Sequence, residues 1–371
     1  MQTITKSRVI SILRGVLSQP TAPFHESKVM DYIRKFARER KTLTLKEDKF
    51  GNLLVRYRRG TVARGSPLLV FAAHTDHPGF IAGRRNSRKE TSALFLGGVH
   101  KKFFKGSRVR FFADGGEVTG RITSVREGAK GEKHVSIATR GEVPEGTFGM
   151  WDLKGFRQKG NRIYSRAIDD LAGVSSVIAL LDALHRGKVK GEAAGLFTRG
   201  EEAGLNGATG VALTGGLPRT RSRVVTVETS KELVNARVGH GPIIRVGDRK
   251  LIFDGPITRF IEDVAIDLAK REGKFPFQRR LMDGGTCEST SFGVLGYRTG
   301  AACVALGNYH NMSPDGRIRE EYIHIGDLVA LVRLFFHMVK KRNGIDKSYD
   351  RLRQDLVTTF ERYRPRLIAR G

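Results

Sequence analysis

Arg166-Ala167-Ile168-Asp169-Asp170-Leu171-Ala172-Gly173-Val174 is the stretch on which the reading of this chain turns. Two adjacent acids stand at the head of an apolar run, Val174 to Leu184, that reads as a buried helix. Taken alone, the pair is equally well explained as an N-terminal cap, because carboxylates favour the first helical turn. Its company changes that. His74 and Asp76 form a His-x-Asp upstream, and Glu201 and Glu202 an acidic pair downstream; Glu228 ends one strand and His310 follows another. Imidazoles and carboxylates delivered from separate strand ends are what a two-metal hydrolase centre needs, and Asp169 is the candidate for the shared ligand.

The surrounding pattern is that of an α/β sheet. Pro67 to Ala73 is a short continuous apolar run, as in a strand buried on both faces. His74 and Asp76 follow at its C-terminal end, where open α/β sheets gather their ligands. Residues two apart in extended chain share a face. His74 is therefore read as a metal ligand, with Asp76 beside it as its orienting partner. Glu192 to Thr198 reads as a strand running into Arg199–Leu205, where neighbouring acids point in opposite directions. Glu202 then ligates while Glu201 faces substrate. Arg223 to Val227 is a β-branched strand ending at Glu228, and Ala301 to Leu306 delivers Tyr309-His310-Asn311. Helices are expected over 7–17, 25–39, 256–271 and 323–339. Leu43 to Tyr57 reads as two strands around Asp48-Lys49-Phe50-Gly51-Asn52.

Residues 85–159 differ: short β-rich pieces such as Ser107–Phe112 and Glu117–Ile122 alternate with Gly-rich turns, as in a small inserted β-barrel. The expected organisation is a discontinuous catalytic domain over 1–84 and 160–341, the insert over 85–159, and a basic C-terminal helical tail over 342–371. The insert's strand edges make it a candidate oligomerisation surface.

Sixty-six basic residues against 38 acidic ones give a net charge of +28, a field that favours anionic partners. It leaves nucleic acid open as a partner, but no aromatic–basic motif of RNA-binding sheets accompanies it. Cys287 and Cys303 are the only cysteines, so there is no disulfide framework. No run is long enough to span a bilayer, and the start of the chain fits an amphipathic helix better than a targeting segment; a soluble, cytoplasmic protein is expected.

The candidate centre divides in two. His74, Asp169 and Glu228 are assigned to one divalent metal, and Asp169, Glu202 and His310 to the other, zinc or cobalt suiting this donor set. Such a centre lowers the pKa of water. Glu201 is the candidate general base, passing the proton on to a leaving amine. His77 stands near the site as a candidate substrate contact.

In the order of these motifs the chain resembles the glutamyl/leucyl aminopeptidase family, whose members include the tetrahedral, self-compartmentalising aminopeptidases. The resemblance runs from about Pro23 to Val339. It includes Asp48–Leu53, Ala73-His74-Thr75-Asp76, Leu96-Gly97-Gly98-Val99, Ser165–Asp170, Glu201–Ala208, Gly239-His240-Gly241-Pro242, Gly284-Gly285-Thr286 and Tyr309-His310. It implies a three-layer α/β/α, phosphorylase/hydrolase-like catalytic domain with an inserted β-barrel. It also implies two zinc or cobalt ions, peptide substrates cut at their N-termini, and homo-oligomers from dimers to dodecamers. The chain departs from the family pattern at His77, Leu171, Glu228 and Cys287.

Two rivals remain. A related amidase, deacylase or carboxypeptidase shares the two-metal logic and differs in which end of the substrate is held. A basic anion- or nucleic-acid-binding protein on an inactive hydrolase scaffold would account for the charge, yet it has no physical need for Glu201 beside Glu202.

Overall fold

The computed structural model describes residues 3–87, 90–129 and 131–368. The first strands are β1 (Leu43–Glu47), β2 (Leu53–Arg59) and β3 (Leu68–His74). Six more follow: β4 (Gly79–Ser87), β5 (Glu90–Leu96), β6 (Arg108–Ala113), β7 (Gly116–Glu127), β8 (Lys133–Thr139) and β9 (Phe148–Trp151). Then come β10 (Arg157–Lys159), β11 (Arg162–Ser165), β12 (Gly191–Thr198), β13 (Ser222–Lys231), β14 (Ile243–Gly247), β15 (Gln278–Leu281), β16 (Arg298–Leu306) and β17 (Glu321–His324). The helices are α1 (Lys6–Leu17), α2 (Ser27–Arg38), α3 (Leu171–Arg186), α4 (Asn206–Thr214), α5 (Gly255–Glu272), α6 (Glu288–Val294), α7 (Ile325–Lys341) and α8 (Ser348–Ile368).

The central sheet has eight strands in the order β1-β2-β12-β3-β13-β16-β14-β15. Its middle four, β12, β3, β13 and β16, run parallel, so their C-terminal ends open on one edge. All of β3 is buried, because successive side chains enter two different cores. Leu69, Phe71 and Ala73 join the core under α1, α3, α5 and α7. Leu68, Val70 and Ala72 join the smaller core under α4 and α6. This is the α/β/α sandwich that the resemblance implies, and it accounts for the apolar run as a strand covered on both faces. The interior position of α3 follows from its composition: Leu171 to Leu184 is buried all round.

Strands β4 to β9 close into a barrel in the order β4-β5-β8-β7-β6-β9, with β9 pairing back to β4. Closure removes the free edges of a sheet, so the strand edges that were expected to make the insert an oligomerisation surface are paired within the barrel. An aromatic cluster fills the barrel: Phe80 meets Trp151 edge to face at 4.8 Å, and Phe95 meets Phe104 at 4.9 Å. These T-shaped contacts place the positive ring edge on a negative face.

Two differences from the expected elements matter. Residues 323 and 324 belong to β17 rather than to the long helix, which starts at Ile325. Ile323 is paired with Ile163 of β11, a tertiary partner invisible to helical periodicity. Within the helical tail expected over 342–371, the long helix starts only at Ser348 and runs to Ile368 through Pro365. No helix among the described residues is long and apolar enough to cross a membrane.

Candidate metal centre and active site

The acidic pair that opens α3 divides its duties. Asp170 is the cap: its Oδ1 accepts the Gly173 N–H at 3.1 Å. A Cβ at Gly173 would lie 2.2 Å from the Asp170 carboxylate, so the cap requires glycine there. Asp169, joined to Asp170 by a cis peptide, turns the other way, toward the C-terminal edge of the parallel strands.

There its two oxygens face one histidine each. Asp169 Oδ1 lies 3.5 Å from His74 Nε2, and Oδ2 lies 3.4 Å from His310 Nε2. Glu228 Oε2 is 4.0 Å from His74 Nε2, and Glu202 Oε1 is 3.0 Å from His310 Nε2. The ligand atoms of His74, Asp169 and Glu228 fall within 4.8 Å of one another, as do those of Asp169, Glu202 and His310. These separations bracket the ~3.4 Å edge expected between ligand atoms around a tetrahedral zinc at about 2.1 Å. Glu202 Oε1 is buried and has no aligned hydrogen bond, which leaves its lone pairs facing the shared space. The donor set thus has the chemistry and spacing that a divalent cation takes, and Asp169 belongs to both groups.

Neighbouring groups set the orientation of each ligand. His74 Nδ1 lies 3.2 Å from the Asp76 carbonyl, and His310 Nδ1 lies 2.9 Å from that of Gly98. An Nδ1–H donated there turns each Nε2 lone pair into the site. Gly98 follows the barrel strand β5, so the inserted domain helps to aim a ligand of the catalytic domain. The Thr229 hydroxyl donates to Asp169 Oδ1 at 3.0 Å. Asp76 is tied to the loop after β12: its two oxygens accept the N–H groups of Glu201 and Glu202 at 3.0 and 2.9 Å. It thus positions both acids as well as lying beside His74.

Burial and crowded charge shape the electrostatics. Burial, reinforced by Asp169, pushes Glu228 up to about 8 although His74 opposes it. Burial also raises Glu201 well above the usual carboxylate range; His74 opposes it, and Glu202 and Glu228 add to it. Against the same burial, hydrogen bonds from His310 and His74 hold Asp169 below that range.

A cavity of about 360 Å³ is lined by His74, Asp169, Glu201, Glu202, Glu228, Tyr309 and His310. A side cavity shares Glu228, Thr286 and Tyr309 with it and reaches Lys231, Met282 and Arg245. Arg245 is 3% exposed; Nη1 donates to Ser230 Oγ at 3.3 Å and Nε has no partner. Among the described residues no carboxylate lies within ion-pair distance of it.

All seven candidate residues thus meet at one edge of the sheet, with Asp76 just behind it. His77 does not act as the expected substrate contact. It is fully buried, with Nδ1 2.5 Å from the Asp169 carbonyl and Nε2 3.0 Å from Asn311 Oδ1. Its ring braces the backbone instead. The sequence reading missed Arg245 and Glu321. Arg245 had a signal, as a lone cation inside the apolar strand Ile243-Ile244-Arg245-Val246. Glu321 had none.

The solved structures with this fold include an aminopeptidase from the archaeon Desulfurococcus kamchatkensis. It shares 20% identity, covers 92% of this chain and 98% of its own, and superposes with a TM-score of 0.75. The TET1 peptidase of Pyrococcus horikoshii, described as assembling into a tetrahedron or an octahedral shell, shares 20% over 89% of this chain and 99% of its own, with a TM-score of 0.73. A TET aminopeptidase from a marine-sediment Thaumarchaeota archaeon shares 19% over 91% and 99%, with a TM-score of 0.75. Residues 51–334 match the M42 glutamyl aminopeptidase family, and with most of its length inside that match the chain belongs to this family of peptide hydrolases.

Proposed function

We propose that this peptidase is a two-metal aminopeptidase that removes N-terminal residues from peptides and favours acidic ones. The observation that carries the reading is the position of Asp169, one oxygen toward His74 and the other toward His310, with Glu201 across the cavity. His74, Asp169 and Glu228 would hold one divalent ion, zinc or cobalt, and Asp169, Glu202 and His310 the other. When bound, the ions supply Lewis acidity, polarising the scissile carbonyl and acidifying the attacking water. Glu201, whose Oε2 is 4.0 Å from His74 Nε2, takes the proton from that water and hands it to the leaving amine. Asp76 keeps Glu201 and Glu202 in place through their backbone. Arg245, buried without a carboxylate partner beside Glu228, supports an anionic side chain in the adjoining cavity. Its relatives, an aminopeptidase and a TET1 peptidase that assembles into a tetrahedron or an octahedral shell, support cleavage from the N-terminal end and a homo-oligomer.

The test is hydrolysis of a panel of aminoacyl-p-nitroanilides after metal removal and again with Zn²⁺ or Co²⁺. Metal-restored cleavage, fastest for glutamyl and aspartyl substrates, is expected. Cleavage confined to N-blocked substrates would replace this reading with the amidase one.

A further inference from the structure

Helix α8 follows the catalytic domain and lies beyond the family match at residue 334. Its first turn is held to the body: Ser348 Oγ donates to the Pro256 carbonyl at 2.7 Å, and Tyr349 packs over Gly255. Beyond that turn its side chains are exposed. Tyr349, Leu352, Leu356, Phe360, Tyr363 and Leu367 follow one another at spacings of 3, 4, 4, 3 and 4 residues. That is an eleven-residue pattern, about 3.67 residues per turn, which keeps a stripe on one side of the helix. Leu356 is 63% exposed, Phe360 51% and Leu367 73%. A helix of this length is marginal in water without a packed face, and such a stripe marks a contact surface.

We propose that this stripe joins two copies of the chain, helix against helix and antiparallel. Stripe geometry and charge both select this occupant. Val357 and Ile368 are also exposed but stand apart from the stripe across Arg353 and Arg364, so the apolar face is interrupted, whereas a helix lying in a bilayer surface has a broad continuous one. The N-terminal half of α8, 348–358, carries two acids and two arginines and is neutral; the C-terminal half, 359–368, carries Glu361 against Arg362, Arg364 and Arg366, a net +2. Parallel pairing would set the two positive halves together, and antiparallel pairing sets each against a neutral half. Asp355 and Arg362 lie seven residues apart on one edge of the stripe, so a two-fold axis near Thr358 brings each toward the other in the second copy. The same axis sets Leu356 opposite Phe360, with Tyr349 toward Leu367. This contact does not rest on the peptidase chemistry and is separate from any contact made by the barrel.

The experiment compares the full chain with its Leu356→Asp/Phe360→Asp variant by light scattering. The variant is expected to lose roughly half of the particle mass, with unchanged melting temperature and unchanged p-nitroanilide hydrolysis. An unchanged mass, or a monomeric wild type, overturns the proposal. Leu356→Cys and Phe360→Cys chains, mixed and oxidised, are expected to cross-link to each other far more than either does alone. The native Cys287 and Cys303 are buried and stay silent. Self-linked Leu356→Cys dimers overturn the antiparallel arrangement. Flotation of the wild type with anionic phospholipid vesicles, lost in a double variant of unchanged mass, makes a membrane the occupant and overturns the proposal as well.

Discussion

One carboxylate of Glu321 holds the backbone of both His310 and Asp169: Oε1 accepts the His310 N–H at 2.8 Å, and Oε2 accepts those of Ile168 and Asp169 at 2.7 and 3.1 Å. Asp169 and His310, proposed ligands of the two subsites, are thereby set by a single side chain on β17. The arrangement has work to do, because Asn308, His310 and Asn311 all have left-handed backbones, with φ of 55°, 53° and 64°. Non-glycine residues pay about 1–3 kcal/mol each for such conformations, so the loop must be held. Glu321→Gln replaces an acceptor with an NH₂ that faces a backbone N–H. Metal content after dialysis is expected to fall, and kcat to drop at least roughly tenfold at saturating substrate. Full metal retention with unchanged kcat would remove Glu321 from this role.

Glu201 and Asp169 are expected to fail in different ways. Glu201→Gln removes the proton acceptor and leaves every proposed ligand in place. It should keep its metal and lose roughly 10²–10⁴-fold in turnover. Asp169→Asn weakens a ligand common to both subsites, so both should empty together. Metal analysis beside kinetics separates the two. An Asp169→Asn protein that still holds two ions would pass the shared role to another carboxylate.

Much of this was legible in the sequence, for identifiable reasons. The run Leu68–Ala73 could only suit a strand covered on both faces, and it carried His74 to the sheet edge. The loop after β12 put Glu201 and Glu202 where strand polarity predicts ligands. Those signals are local. Glu321 was not read, and His77 was given a different role, because what they do depends on partners distant in sequence. Glu321 reaches Ile168 across 153 residues, and His77 reaches Asn311 across 234. The bounds of α7 slipped for the same reason, since β17 exists through its pairing with β11.

Asp182 supplies a stability prediction. It lies on α3, 2% exposed, and joins three helical segments: Arg8 of α1 at 2.9 Å, Arg40 just past α2 at 2.9 Å, and its own helix. Burial pushes its pKa up, but the two arginines outweigh it and hold it below the ordinary 3.8. A depressed carboxylate stabilises the fold above its unfolded pKa, and the contribution fades as pH falls through the folded value. Asp182→Asn should therefore cost about 1–3 kcal/mol near neutrality, since hydrogen bonds to a charged group are lost and Arg8 is partly solvated. The gap between the two proteins should narrow below pH ~4. Denaturant melts at a series of pH values would measure it. A gap that widened on acidification would show that Asp182 is not the ionised partner.

Arg245 separates a local source of substrate preference from a global one. With a net charge of +28, the whole surface attracts acidic peptides, and this steering weakens as salt shortens the Debye length from ~30 Å at 0.01 M to ~8 Å at 0.15 M. A contact inside the cavity behaves differently, because a buried guanidinium is screened little by ions in bulk water. Arg245→Met keeps most of the side-chain volume and removes the charge. Its kcat/KM for a glutamyl substrate should fall by about 30- to 5000-fold, the range for truncating one partner of a buried charge pair. For a leucyl substrate it should hold or rise, since the buried cation no longer faces an apolar side chain and only Lys231 is left as a cation in the cavity lining. The wild-type preference, taken as the ratio of the two kcat/KM values, should persist at high salt. If that ratio collapses with salt while Arg245→Met leaves it untouched, the selectivity comes from the surface field and the side cavity does not read the substrate.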